Sequence, residues 1–365
     1  MKNQIISLII FIFSVQFINA QCPTAPITFV NQAQVNAFPT SYPSCTVIPD
    51  GIDIKIMGAD ISNLIPLSQL TSVLGVLEIR NCPLLATLNG LNNITAIGND
   101  TLDGFILRDL PALTTLAALN NLDSIHGEFT IRTCNVLTTL NGLNGLKKAY
   151  GSVIIRDNAT LQNLNGLDSL IYIGETLELV QNTQLNSIAA LSHVDTIVGG
   201  VEGGIFIEAN DSLSNLTGLG NGNTSVGSNL DITLNGNLNL CHVPSICKYL
   251  ANPPAGATIT ITANKVDCNS EAEIIAKCAL GTSENINFGN TITVYPNPLT
   301  ENFTIDSKNN EELKIEIVNL FGTVLDTFMM KGYYEGEIAN YSPGIYLLKV
   351  TGSNRQEKVI RIVKQ

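Results

Sequence analysis

Four of the chain's six arginines, Arg80, Arg108, Arg132 and Arg156, stand at one place in a recurring phrase, each directly after an aliphatic residue (Ile79, Leu107, Ile131, Ile155). If the aliphatic residue points into a core, the arginine after it points out. Coils stacked like strands, ~4.8 Å apart, then hold the four guanidinium groups in a column about 14 Å long. Residues 1–280 carry 11 basic and 21 acidic side chains, so this basic column stands against a net −10. Like charges this close repel, and the column requires counter-charges or a bound anion. Two chemistries are open to it. Asp109, Asp157 and Glu78 can neutralise the arginines as solvated decoration, or the planar guanidinium forks can grip carboxylates, sulfates or phosphates of an extended polymer.

Other chemistry is sparse. His126, His193 and His242 are scattered without metal-ligand spacing, which places them in turns or caps and predicts no metal and no cofactor. The other outward column, two residues before the first, reads Lys55, Glu78, Ile106, Thr130, Ile154, Glu178, Phe206 and Asp231. Its acids are single, so no carboxylate pair for glycoside cleavage can be placed. The glycine-rich stretches 199–204 and 218–227 lack the lysine of a phosphate loop and read as inserted turns. A net charge of −12 and a pI near 4.7 argue against general binding to nucleic acid or acidic membrane. With no tryptophan and 6% aromatics, an aromatic sugar-binding platform is not expected.

The elements that position these residues come from a repeat. The strand anchor recurs at Ile56, Ile79, Leu107, Ile131, Ile155, Leu179, Ile207 and Ile232, at intervals of 23 to 28 residues. Leu64, Leu88, Leu116, Leu140, Leu164, Ile188 and Leu216 keep step with it, as do Leu67, Leu91, Leu119, Leu143, Leu167, Leu191 and Leu219. Eight coils of this kind bury a continuous aliphatic ladder that no single coil could bury. The two coils of 28 take up their extra residues near 99–104 and 199–204, as loops. Three residues past each anchor lies Ala59, Cys82, Leu110, Cys134, Asn158, Asn182, Asn210 or Asn235. An inward asparagine there hydrogen-bonds backbone groups that the turn leaves unpaired.

Residues 1–20 have the layout of a secretory signal: Lys2, an apolar run from Ile5 to Phe13, and Asn19-Ala20 before the cut. Gln21 stands where a lipid-attachment signal wants a small residue, so lipidation of Cys22 is not expected. No later stretch is long and apolar enough to predict a transmembrane segment. Export makes disulfides possible. Cys22 and Cys45 flank the segment before the first coil and are expected to pair. Cys241, Cys247, Cys268 and Cys278 surround two expected helices, 243–250 and 271–278; their pairing is ambiguous, with Cys241–Cys268 and Cys247–Cys278 the expectation. Cys82 and Cys134, two coils and thus about 9.6 Å apart, are too distant to bridge and should be buried thiols.

From residue 291 the texture changes to short alternating segments that read as a small β-sandwich. Tyr295-Pro296-Asn297-Pro298, Leu320-Phe321-Gly322, Ser342-Pro343-Gly344-Ile345-Tyr346 and the basic strand Lys358-Val359-Ile360 resemble the C-terminal sorting domain of the type IX secretion system of Bacteroidota. The resemblance implies engagement by that machinery, export across the outer membrane, and removal of this domain with release or surface attachment. The repeat phrase, with glycine before the strand and a Gly/Ala-Leu pair after it, looks like the receptor L-domain, a right-handed β-helix related to leucine-rich repeats. Asp-Ser/Thr-aliphatic triplets at 100–102, 123–125, 168–170, 195–197 and 211–213 resemble the O-glycosylation signal of exported Bacteroidota proteins, although the repeat alone also places polar residues there.

The predicted organisation is a signal (1–20), a disulfide cap (21–50), an all-β, right-handed, leucine-rich solenoid of about eight coils (51–240), a cysteine-rich cap (241–280), a linker (281–290) and an immunoglobulin-like sorting sandwich (291–365). The expected function is non-catalytic recognition or adhesion, at the outer-membrane surface or after secretion, through the outward strand face, with a glycan (an acidic one among the candidates), a protein or another extracellular polymer as ligand and no nucleic acid. The alternatives are a polysaccharide-active enzyme and an inert surface protein.

Overall fold

The computed structural model describes residues 22–200, 202–220, 224–279, 292–307, 312–319, 323–352 and 357–365. The signal, the linker and Leu320-Phe321-Gly322 lie outside the described residues, as does the side chain of Lys358.

Two long parallel sheets wind through the repeats as a solenoid. The larger has ten strands, running from Ile27–Phe29 through Ile54–Ile56, Leu77–Arg80, Asp103–Arg108, Gly127–Arg132, Val153–Arg156, Thr176–Val180, Gly204–Glu208 and Asn229–Thr233 to Ile259–Thr262. Eight two-residue strands, from Val47–Ile48 to Ser225–Val226, form the second. Neighbouring strands pair at one register: Ile79 faces Leu107, Leu107 faces Ile131, Ile131 faces Ile155 and Ile155 faces Leu179. A constant register is what the period dictates, since a slip of one residue would turn every anchor to solvent. The anchors and both leucine columns are buried to within 1% exposure and join one core.

The asparagine column supplies what the aliphatic ladder cannot. Asn158, Asn182, Asn210 and Asn235 are fully buried. Each donates its amide to the carbonyl of an anchor one coil back: Asn158 to Ile131 at 3.0 Å, Asn182 to Ile155, Asn210 to Leu179 and Asn235 to Ile207, each at 2.8 Å. Each side-chain oxygen accepts the backbone N–H of the preceding coil, as Asn158 does from Cys134 at 3.0 Å and Asn182 from Asn158 at 3.2 Å. Every group in the column is thereby satisfied where no water reaches. Cys82 and Cys134 are buried free thiols in the same slots, and burial pushes the Cys134 thiol up to about 12.

Both ends go beyond the sequence reading. The ladder extends one strand further in each direction, because Phe29 faces Ile56 and Ile232 faces Ile261, so both caps contribute a strand to the sheet. An end coil has free backbone groups as well as an exposed core, and a helix alone could cover only the second. At the first end the Cys22–Cys45 bond brackets a helix the sequence did not reveal, Gln32–Ser41, capped by the Asn31 side chain accepting from Gln34 N–H at 3.0 Å. It seats Val35 and Phe38 under the first coil. At the other end Cys241–Cys268 and Cys247–Cys278 are bonded, the latter tying helix Pro244–Ala251 to helix Glu271–Ala279. Asn264 closes the asparagine column, donating to Ile232 O at 2.6 Å while its own N–H is taken by the Asn269 side chain at 3.1 Å.

The C-terminal segment is an antiparallel sandwich with its own core. Three strands (Ile292–Tyr295, Asn302–Ser307, Tyr333–Glu337) make one sheet and four (Val324–Lys331, Glu312–Asn319, Gly344–Thr351, Glu357–Lys364) the other.

Candidate ligand-binding face

The structure places the four arginines in register on adjacent strands: Arg80 faces Arg108, Arg108 faces Arg132, and Arg132 faces Arg156. All point out of the ten-stranded sheet with side chains 30–44% exposed. The residue after each is held in the left-handed region, with φ of 53° at Asn81, 54° at Asp109, 55° at Thr133 and 57° at Asp157, which turns the chain away from the sheet. Three outward positions per coil (two residues before the arginine, the arginine itself and this corner residue) therefore form a strip along the axis.

Acids in the strip pair with the arginines. Arg80 Nε lies 3.2 Å from Glu78, and Arg108 reaches Glu78 at 3.7 Å and Asp109 at 3.4 Å. Arg132 Nε donates to Asp157 at 2.9 Å; Arg156 contacts the same carboxylate at 3.4 Å and donates through Nη1 to Glu178 at 2.9 Å. Four arginines thus meet four acids, Glu178 joining the three that sequence had supplied. Partly exposed pairs of this kind add about 0–1 kcal/mol each to stability, so they set charge and orientation more than they hold the fold.

The pairing is uneven. Arg80, Arg108 and Arg156 each have an acid within their own coil, at Glu78, Asp109 and Asp157. Arg132 has Thr130 before it and Thr133 after it, and borrows Asp157 from the next coil. It holds that carboxylate through Nε alone; among the described residues neither of its terminal nitrogens has a partner, and its side chain is the most exposed of the four at 44%. Ile106 and Ile154 are the direct sheet neighbours of Thr130, one coil to either side, and both are half-buried. Thr130 donates its hydroxyl to Glu128 at 2.5 Å.

One outward cluster went unseen in the sequence. His126 and Tyr150 stack at 4.5 Å between ring centroids, Tyr172 lies 5.7 Å from Tyr150, and Lys148 Nζ sits 5.9 Å from the Tyr150 ring. The 24-residue step from His126 to Tyr150 carried the signal. His126 and Tyr150 cover each other's faces, as rings one coil apart must, so this is not the open platform a sugar would stack on. His193 ends the short helical turn Ala189–His193 and His242 lies in the second cap, so the three histidines stay apart. In the Asp-Ser/Thr triplets, Ser124 and Thr196 are half-buried on the second sheet, Thr101 is exposed in an inserted turn, and Ser212 donates to Thr183 O at 2.7 Å.

In the sandwich, the Asn297 side chain donates to Arg361 O at 2.8 Å and accepts from Val363 N–H at 2.9 Å, pinning the Tyr295-Pro296-Asn297-Pro298 turn to the last strand. Gly344 opens the strand that carries Tyr346, whose hydroxyl bonds Ser342 O at 2.7 Å. Residues 293–365 match the family described as the secretion system C-terminal sorting domain. This is a type IX sorting domain, which directs the chain to the cell surface or the extracellular space. No helix among the described residues is long and apolar enough to cross a membrane. The curated proteins contain no match to the chain.

Proposed function

We propose that this exported chain is a non-catalytic recognition module whose ten-stranded sheet presents an outward strip to an extended extracellular polymer. The observation that carries the reading is the arginine column itself: four guanidinium groups in strict register on adjacent strands, in a segment of net charge −10. A flat strip that repeats at each coil suits a ligand that also repeats. Because the arginines are paired with acids, the strip is not a bare cationic stripe. It offers directional N–H donors on a neutral background, and that favours stereospecific contacts over bulk attraction of any polyanion.

The repeat phrase and the buried asparagine column support placing the solenoid with right-handed receptor L-domain folds of about eight coils. The cysteine caps and the sorting domain support a layout in which residues 1–20 and 291–365 serve export and the solenoid is the cargo. The test is a glycan and protein array probed with the exported chain at two salt concentrations. Saturable binding without product release supports recognition. Turnover of any arrayed polysaccharide would replace it with an enzymatic reading, and silence across the array would leave a structural coat.

A further inference from the structure

The strip contains one place built differently from the rest, and it names a ligand class. Of the four arginines in the strip, only Arg132 has no acid two residues before it or directly after it, and among the described residues only Arg132 keeps both terminal nitrogens free of protein partners. Its Nε is already fixed on Asp157, so the side chain is oriented while the planar pair of Nη groups stays open. That pair matches two oxygens of a carboxylate in a single plane, a bidentate fit that a lysine cannot reproduce. On either side along the axis stand Ile106 and Ile154, apolar surfaces two coil steps or about 9.6 Å apart, with Phe206 repeating the interval beyond Glu178.

We propose that Arg132 is the carboxylate seat of a site for a linear uronic-acid glycan, lying along the solenoid axis with apolar sugar faces on Ile106 and Ile154. This rests on the recognition reading above and specifies its ligand. The spacing separates a glycan from an extended peptide: side chains on one face of a strand recur every ~6.6–6.8 Å, out of step with the two isoleucines.

The experiment measures binding of the full exported chain to polygalacturonate, its carboxyl-reduced neutral counterpart, dextran sulfate and poly-glutamate. The expected result is binding to polygalacturonate that falls at least tenfold on carboxyl reduction and exceeds that of the other two. Arg132→Ala should lower it at least tenfold and Arg132→Lys should not restore it, whereas Asp157→Asn, which breaks the same ion pair but keeps the fork, should retain binding. Lys147→Ala, directly before the second-sheet strand Lys148–Ala149, should leave it unchanged. Loss in Asp157→Asn equal to that in Arg132→Ala would make Arg132 a structural residue and overturn the site. Equal binding of the reduced polymer, or preference for dextran sulfate or poly-glutamate, would overturn the ligand class while leaving recognition intact. Binding to none of the four, with binding to another polymer on the array, would likewise overturn this inference alone.

Discussion

Replacing Asn182 with alanine tests whether the buried asparagine column holds the solenoid together. The Asn182 side chain accepts from Asn158 N–H and from Asn158 Nδ2, both at 3.2 Å, and donates to Ile155 O at 2.8 Å and to Asn210 Oδ1 at 3.4 Å. Alanine strands at least two backbone groups, Asn158 N–H and Ile155 C=O, in a core with no solvent access. Each buried group left unpaired costs about 1–3 kcal/mol, so the expected loss is roughly 2–6 kcal/mol, a large share of a domain's total stability. Asn182→Cys should cost less, because Cys82 occupies the same slot and points its thiol at Ile56 O, 3.7 Å away. The new thiol would stand two coils from Cys134, out of reach of a disulfide. Urea unfolding of the two variants under identical conditions reads both numbers. A loss below about 1 kcal/mol for alanine, or a cysteine variant no more stable than alanine, would show that packing and not hydrogen bonding sets the column.

Two further substitutions at backbone-determined positions have opposite signs. Gly166 sits at φ +116° with its missing Cβ aimed into Leu140 O of the coil before, so Gly166→Ala should destabilise by about 2–4 kcal/mol from strain and overpacking, read as a lower urea midpoint. Leu234 holds the corner position at φ 60° while 51% exposed, so Leu234→Gly should stabilise by about 1 kcal/mol, read as a higher thermal midpoint.

The repeats were legible because a coil of nearly constant length fixes the register, and register fixes which side chains are inward. Once Ile131 is inward, Arg132 is outward, and its neighbours Arg108 and Arg156 follow. The caps escaped because they break the period. Phe29 precedes Ile56 by 27 residues with a helix and Cys45 between, and that helix, with Pro39 inside it, lacks a clear apolar stripe. Ile261 follows Ile232 by 29 residues, with helix Pro244–Ala251 between. The special standing of Arg132 depends on the corner column Asn81, Asp109, Thr133, Asp157, Gln181, whose acids alternate with neutral residues. That alternation is visible in the sequence, but only a structure shows that the corner residues turn back within reach of the guanidinium groups.

The pairing also determines how binding must respond to salt. An unpaired column of four arginines would attract polyanions at long range, and each phosphate or carboxylate it neutralised would release a counterion, giving an affinity that falls with about the fourth power of salt concentration. Glu78, Asp109, Asp157 and Glu178 cancel that field at distances of 2.9–3.7 Å, well inside the ~8–10 Å screening length, so a distant polymer meets no net positive column. Only the open fork of Arg132 is left to exchange a counterion for a ligand carboxylate. Affinity should therefore fall with about the first power of salt concentration, measured by titration across a tenfold range of sodium chloride. A fourth-power dependence would mean that the acids yield their arginines to the ligand, and recognition would then be electrostatic along the whole column rather than seated at one residue.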